Sequence, residues 1–258
     1  MSIKSAKRGF TVVEVSIFLA ITGLIFVGMI VGIRSSLTQN HYDDDVNALA
    51  YFLQNAYSKV ISVENTYNHN GKSEKAIYGK LITFGESRNL NGTTNSANDV
   101  FIYDVVGDIA DGDLGSSLLA LKTLNANVTT VEDDEVVFSG IADSYHARWG
   151  TTIENTNATS TLLNASVLIV RSPSNGNIFT YVAPQTIEVN KDKMNGTQNS
   201  LLNAIKAGKF SIMGLDICVN MDRSVYGGKR KDIRITSASR GAAGVQVMHL
   251  NDATNKCN

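Results

Sequence analysis

One chemically active residue in this 258-residue chain stands where its chemistry is expensive. Glu14 is the single charge in FTVVEVSIFLAITGLIFVGMIVGI, the run from Phe10 to Ile33 that Arg34 closes. A carboxylate inside a bilayer costs about 2.5–3.5 kcal/mol on insertion scales, so its presence implies a function and a cationic partner. The other residues suited to catalysis form no such pattern. His41, His69, His146 and His249 lie far apart and share no metal-type spacing. There is no Gly-x-Ser-x-Gly, phosphate loop or dinucleotide fingerprint. Asp108, Asp111 and Asp113 lack the spacing and the terminal Glu of a calcium hand, and read as a solvated acidic turn. The acidic run Glu132–Glu135 reads as a surface stretch before a strand. Two cysteines, Cys218 and Cys257, are too few for a disulfide-dense scaffold or a four-cysteine zinc site. No cofactor, metal or enzymatic activity is expected.

The element that must hold Glu14 is a helix. A helix from Phe10 to Ile33 spans roughly 36 Å, enough for one bilayer crossing. Lys4, Lys7 and Arg8 before Gly9 favour that end in the cytoplasm, which leaves everything after Arg34 outside. A cleaved secretory signal would need an apolar stretch of about 7–15 residues and a small-residue cleavage site behind it. Here RSSLTQNHYDDD follows instead. A plain single-span anchor fits the length but leaves Glu14 unexplained.

KRGFTVVEVSIFLAI resembles the N-terminus of type IV prepilins and type II secretion pseudopilins: a short basic leader ending in Gly, then Phe, then an apolar helix with Glu as its fifth residue. Gly9, Phe10 and Glu14 occupy those positions. The resemblance implies cleavage between Gly9 and Phe10 by a membrane aspartyl prepilin peptidase, with N-methylation of the Phe10 amine. It implies other pilin or pseudopilin subunits and an inner-membrane assembly platform as partners. The Phe10 amine of a neighbouring subunit would be the cation that pairs Glu14 and fixes axial register. Before assembly the chain would be single-pass in the cytoplasmic membrane with its head outside, and afterwards part of a filament. Major pilins often carry a proline in this helix, whereas here the first proline is Pro173. Gly23, Gly28 and Gly32 either weaken the helix locally or permit close helix packing.

Beyond the span, Val46, Leu49, Ala50, Leu53, Ala56, Tyr57, Val60 and Ile61 recur at three-and-four spacing, which extends the helix to about Ser62 with one apolar stripe. The pattern then turns to alternation or short apolar runs. Strands are expected over Ile77–Phe84, Asp99–Val106, Glu135–Ser139, Val167–Arg171, Ile178–Ala183, Phe210–Val219, Asp232–Thr236 and Val245–Leu250, with Asn-, Gly-, Ser- and Thr-rich loops between them. Short helices are expected over Ser116–Leu124 and Asn199–Ala207. The fold class is α+β. A leader (1–9) precedes a long N-terminal helix (10–62, with 10–33 transmembrane), which packs on a β-rich antiparallel head (63–258).

The ending, from FSIMGLDICVN through KRKDIRITSASRGAAGVQVMHL, is similar to that of H-type pseudopilins and related minor pilins. Cys218 and Cys257 lie outside the membrane on this topology, where thiols oxidise. Many pilins close their C-terminal region with such a bridge; the alternative is a buried thiol and a frayed tail residue. Cys218–Asn258 holds seven basic side chains against three acidic ones, in a chain of net charge -1. Lys229, Arg230, Lys231, Arg234 and Arg240 are therefore candidate contacts to DNA, as in uptake pili, or to an acidic neighbouring subunit. Three functional classes follow: a filament subunit, a membrane-held surface adhesin or binding domain, and an exported enzyme on an uncleaved anchor.

Overall fold

The computed structural model of the protein describes residues 11–62, 77–85, 89–90, 93–94, 98–107, 124–126, 129–130, 136–137, 142–156, 162–171, 176–187, 189, 201, 204–205, 207–221, 230–237, 239–248 and 256–257. Two compact units make up the chain, Met1–Asp44 and Asp45–Asn258. Helix α1, Val12–Ile61, contributes to both.

In the first unit α1 runs unbroken through Gly23, Gly28 and Gly32, and a side chain at any of the three would meet nothing within 4 Å in this chain. The segment is apolar and exposed, and is long enough to cross a membrane. Its hydroxyls are satisfied within the helix. Ser16 Oγ donates to the Val12 carbonyl at 3.0 Å and Thr22 Oγ1 to the Phe18 carbonyl at 2.8 Å. A helix that crosses a membrane would need this, because hydrocarbon offers no partner.

In the second unit the rest of α1 buries Val46, Leu49, Ala50, Leu53, Ala56, Tyr57 and Val60, as the spacing predicts. Ile61 departs from the expectation: it is exposed, in the last turn of the helix. The large apolar side chains of the stripe each contribute about 1.5–3 kcal/mol relative to exposure.

The strands are β1 (Ile77–Phe84), β2 (Asn89–Leu90), β3 (Thr93–Thr94), β4 (Asp99–Gly107), β5 (Leu124–Ala126), β6 (Thr129–Thr130), β7 (Val136–Val137), β8 (Asp143–His146), β9 (Thr152–Asn155), β10 (Ala165–Arg171), β11 (Ile178–Ala183), β12 (Leu215–Asn220), β13 (Arg230–Ile235) and β14 (Val245–Met248). The first sheet has the order β11-β10-β1-β4-β5, with β8 also on β4; the second is β14-β13-β12-β9; β2–β3 and β6–β7 form small pairs. Every pairing among the described residues is antiparallel. The protein is thus α+β, a helix packed on a sheet-rich head.

Both faces of the first sheet are covered, which is why β10 reads as a continuous apolar run. Register aligns Leu81, Tyr103, Leu168 and Tyr181 on one face, in a core with Ile187, Leu201, Ile205 and Phe210. The opposite face carries Ile82, Ile102, Val167 and Thr180, and Tyr57 of α1 reaches it with its hydroxyl 3.0 Å from Thr180 Oγ1.

Several elements differ from expectation. The strand expected over Phe210–Val219 is divided. Ser211 pairs with Val182 at the edge of β11, and only from Leu215 does the chain enter the second sheet. Gly214 fits the passage because a side chain there would sit 3.1 Å from the Ile235 carbonyl. Leu124 begins a strand rather than ending a helix, because β5 pairs with the end of β4; 116–123 lie outside the described residues. The strand expected over Glu135–Ser139 is described only as Val136–Val137, and that over Val245–Leu250 as Val245–Met248. Of the Asn199–Ala207 helix, Leu201, Ala204 and Ile205 are described as helical, and Ala207 lies in the turn that follows.

Candidate assembly site and charged C-terminal sheet

Glu14 sits at the start of α1 in a capping box with Thr11. The Glu14 N–H donates to Thr11 Oγ1 at 3.2 Å, and the Thr11 N–H and Oγ1 donate to Glu14 Oε2 at 2.9 and 3.0 Å. Two of the helix's orphan donors are thereby satisfied, and the carboxylate stands at the positive end of the helix dipole. Both bonds from Thr11 end on Oε2, and the second oxygen of a carboxylate can accept from a cation. Its signal in the sequence is Thr-x-x-Glu ahead of an apolar run. Gly9 and Phe10 lie outside the described residues.

A second carboxylate organises the head. Asp45 is buried, yet three groups from β8 and the turn after it converge on it. The Tyr145 hydroxyl lies 2.6 Å from Oδ1, the Arg148 N–H donates to Oδ2 at 3.2 Å, and Thr151 Oγ1 also bonds Oδ2. Burial, together with the hydrogen bond and the charge of Asp45, raises the Tyr145 phenol well above its ordinary range. Nothing near Asp45 in the sequence marks this role, because its partners lie about a hundred residues downstream.

The C-terminal sheet separates its residues by face. Register puts Ile153, Ile217, Val219, Ile233, Ile235 and Val245 on one side. Glu154, Asp216, Cys218, Asn220, Arg230, Asp232 and Arg234 share the other. Gln54 of α1 donates to the Val245 carbonyl at 3.1 Å. Cys218 and Cys257 are joined in a disulfide that brings the C-terminal end onto the charged face.

Ion pairs connect that face. Arg230 lies 3.4 Å from Glu154. Arg234 bonds Asp216 and lies 3.2 Å from Asp232. Lys256 lies 2.7 Å from Asp216. Burial pushes Asp232 above its ordinary range, and the neighbouring Asp216 charge adds to the push. Burial also pushes Asp216 upward, but hydrogen bonds and charges from Lys256 and Arg234 outweigh it and hold the group below that range.

Three of the seven basic side chains counted from Cys218 onward, Arg230, Arg234 and Lys256, are engaged within the head, two of the acids that hold them being Glu154 and Asp216, upstream of the counted segment. Lys231 is half-buried and Arg240 is exposed, while Lys229 lies outside the described residues. Of the acidic runs singled out above, Asp108, Asp111, Asp113 and Glu132–Glu135 also lie outside them. Among the described residues no group of three or more His, Cys, Asp or Glu side chains is arranged to hold a metal ion.

No protein-family model, no curated protein and no solved structure matches the chain.

Proposed function

We infer that the protein is a minor pilin or pseudopilin, a structural filament subunit processed by a prepilin peptidase and assembled through its N-terminal helix. The observation that carries this reading is the placement of Glu14. It is the only acid in the apolar segment and stands in the first turn of an unbroken helix in which the Ser16 and Thr22 hydroxyls bond the helix's own carbonyls. A carboxylate so placed suits a cationic N-terminus supplied by another copy, and is costly in a simple anchor. The division of α1 between an exposed apolar half and a half built into the head suits a subunit that polymerises by one end and displays the other. In the membrane the chain would lie with its head outside, and the assembly platform would extract it after cleavage.

Mass spectrometry of the N-terminus tests the reading. The mature chain should begin at N-methyl-Phe10, and a bulky residue in place of Gly9 should leave a full-length precursor. Glu14→Ala should insert and be cleaved normally but be absent from filaments. A purified chain still beginning at Met1 or Ser2 would instead favour a membrane-held binding domain.

A further inference from the structure

A lysine stands inside the apolar layer of the first sheet. Lys80 lies on β1, the middle strand, and is 3% exposed. Register sets it opposite Ile169 on β10 and Asp104 on β4, and Ile82 and Ile102 follow on the same face. The three isoleucines are buried and their side chains accept no hydrogen bond. Asp104 is the one partner of the Lys80 ammonium among the described residues, with Nζ donating to Oδ1. An ammonium carries three donors, so two N–H groups are left in a buried place, where an unmade bond is costly. Taking two charges out of water adds a cost that a single contact recovers only in part. Lys59 and Lys256, by contrast, keep 30% and 63% of their side chains exposed in the ion pairs they form.

An amide carries no charge and one N–H, so it would remove both costs. We propose that Lys80 and Asp104 condense into an intramolecular amide, a covalent tie between β1 and β4. The existing hydrogen bond supplies the first step. A proton passes from Nζ to the carboxylate, the freed lone pair attacks Cγ, and the bond from Cγ to the protonated oxygen breaks. That oxygen leaves as water with a second proton from the nitrogen, and the other oxygen becomes the amide carbonyl. No oxidant or further reactant is consumed. The Asp104 side chain is 28% exposed, which gives the water a way out. Pairing of β1 with β4 on both sides of Lys80 keeps the two groups together. Groups held in this way react at effective concentrations that reach about 10⁵–10⁸ M in well-oriented cases. The tie lies within the head and stands or falls separately from the filament reading.

Mass spectrometry of the purified full chain is the test. Denatured and with its disulfide reduced, the protein should weigh one water less than its sequence, after allowance for the N-terminus it carries. A tryptic digest should contain one species that joins the peptide bearing Lys80 to the peptide bearing Asp104, uncut after Lys80. Lys80→Arg keeps the positive charge but replaces the amine with a guanidinium. It should lose the joined species and regain the water. A parent digest without the joined peptides overturns the proposal. So does a missing water that persists in Lys80→Arg, because the dehydration then lies elsewhere. If that variant does not fold, the parent digest decides alone.

Discussion

Asp45 shows how one side chain can fix a turn more than a hundred residues away. Removing its carboxylate would take an acceptor from the Arg148 N–H and leave the Tyr145 and Thr151 hydroxyls with only the Asp45 and Arg148 backbone carbonyls. Asp45→Ala is expected to destabilise the head by about 3 kcal/mol, and Asp45→Asn by less because one acceptor oxygen survives. Thermal melts followed by circular dichroism would order the three proteins. Asp216 and Asp232 make a prediction in pH. Asp216, held below its ordinary 3.8, contributes stability that is present above that value and is lost as pH falls through its lowered one. Asp232, raised above 3.8, keeps its proton in the folded state where the unfolded chain loses it, so its contribution is full at low pH and fades as pH rises. Asp232→Asn should therefore match the parent below about pH 3.8 and melt higher at neutral pH. Melting temperatures measured from about pH 3 to about pH 7 would show the gap widening upward, and a variant less stable at pH 7 would contradict the account.

Among the elements, α1 was legible because a stripe of 3.6-residue period has few other meanings, and β1 and β11 because compact apolar runs bounded by turn formers suggest strands. β8 and β9 were not. Each has four residues, DSYH and TIEN, and the polar ones are held by partners far along the chain: Tyr145 by Asp45, Glu154 by Arg230. The charged face of the second sheet was hidden for the same reason, since only strand register sets Glu154 and Asp232 on either side of Cys218. The capping box was readable, whereas the burial of Lys80 inside an apolar sheet was not. Two contrasting substitutions test the stripe. Leu53→Ala, at a fully buried position, should cost about 2–5 kcal/mol. Tyr51→Ala, two residues away and 72% exposed, should fall within about 0.5 kcal/mol of the parent. Equal losses in the melts would mean that α1 is held by something other than this face.

At the scale of the whole molecule, three basic side chains of the C-terminal segment are cancelled by acids of the head. Because Arg230, Arg234 and Lys256 are paired with acids of the same unit, duplex DNA should be retained weakly. A plot of log affinity against log salt should have a slope of about -1 to -2, at about -0.9 per phosphate contact. Fluorescence anisotropy with the full chain would measure it, and a slope of several units would mean that the pairs open on the nucleic acid. Sheet edges are managed in the same inward manner. Ser211 pairs with the outer side of β11, and the Leu163 N–H bonds the Ile153 carbonyl beside β9. Both edges are thus less available to other strands. The continuity of α1 into the head also has a mechanical meaning. Within the head, a tension applied along the axis of residues 45–61 of α1 acts on a segment whose buried contacts extend from Val46 to Val60. Those contacts lie along the line of pull, so they are loaded together in shear and do not peel away one at a time. If the chain is extracted as the proposed filament subunit, this is where the load would be shared most widely.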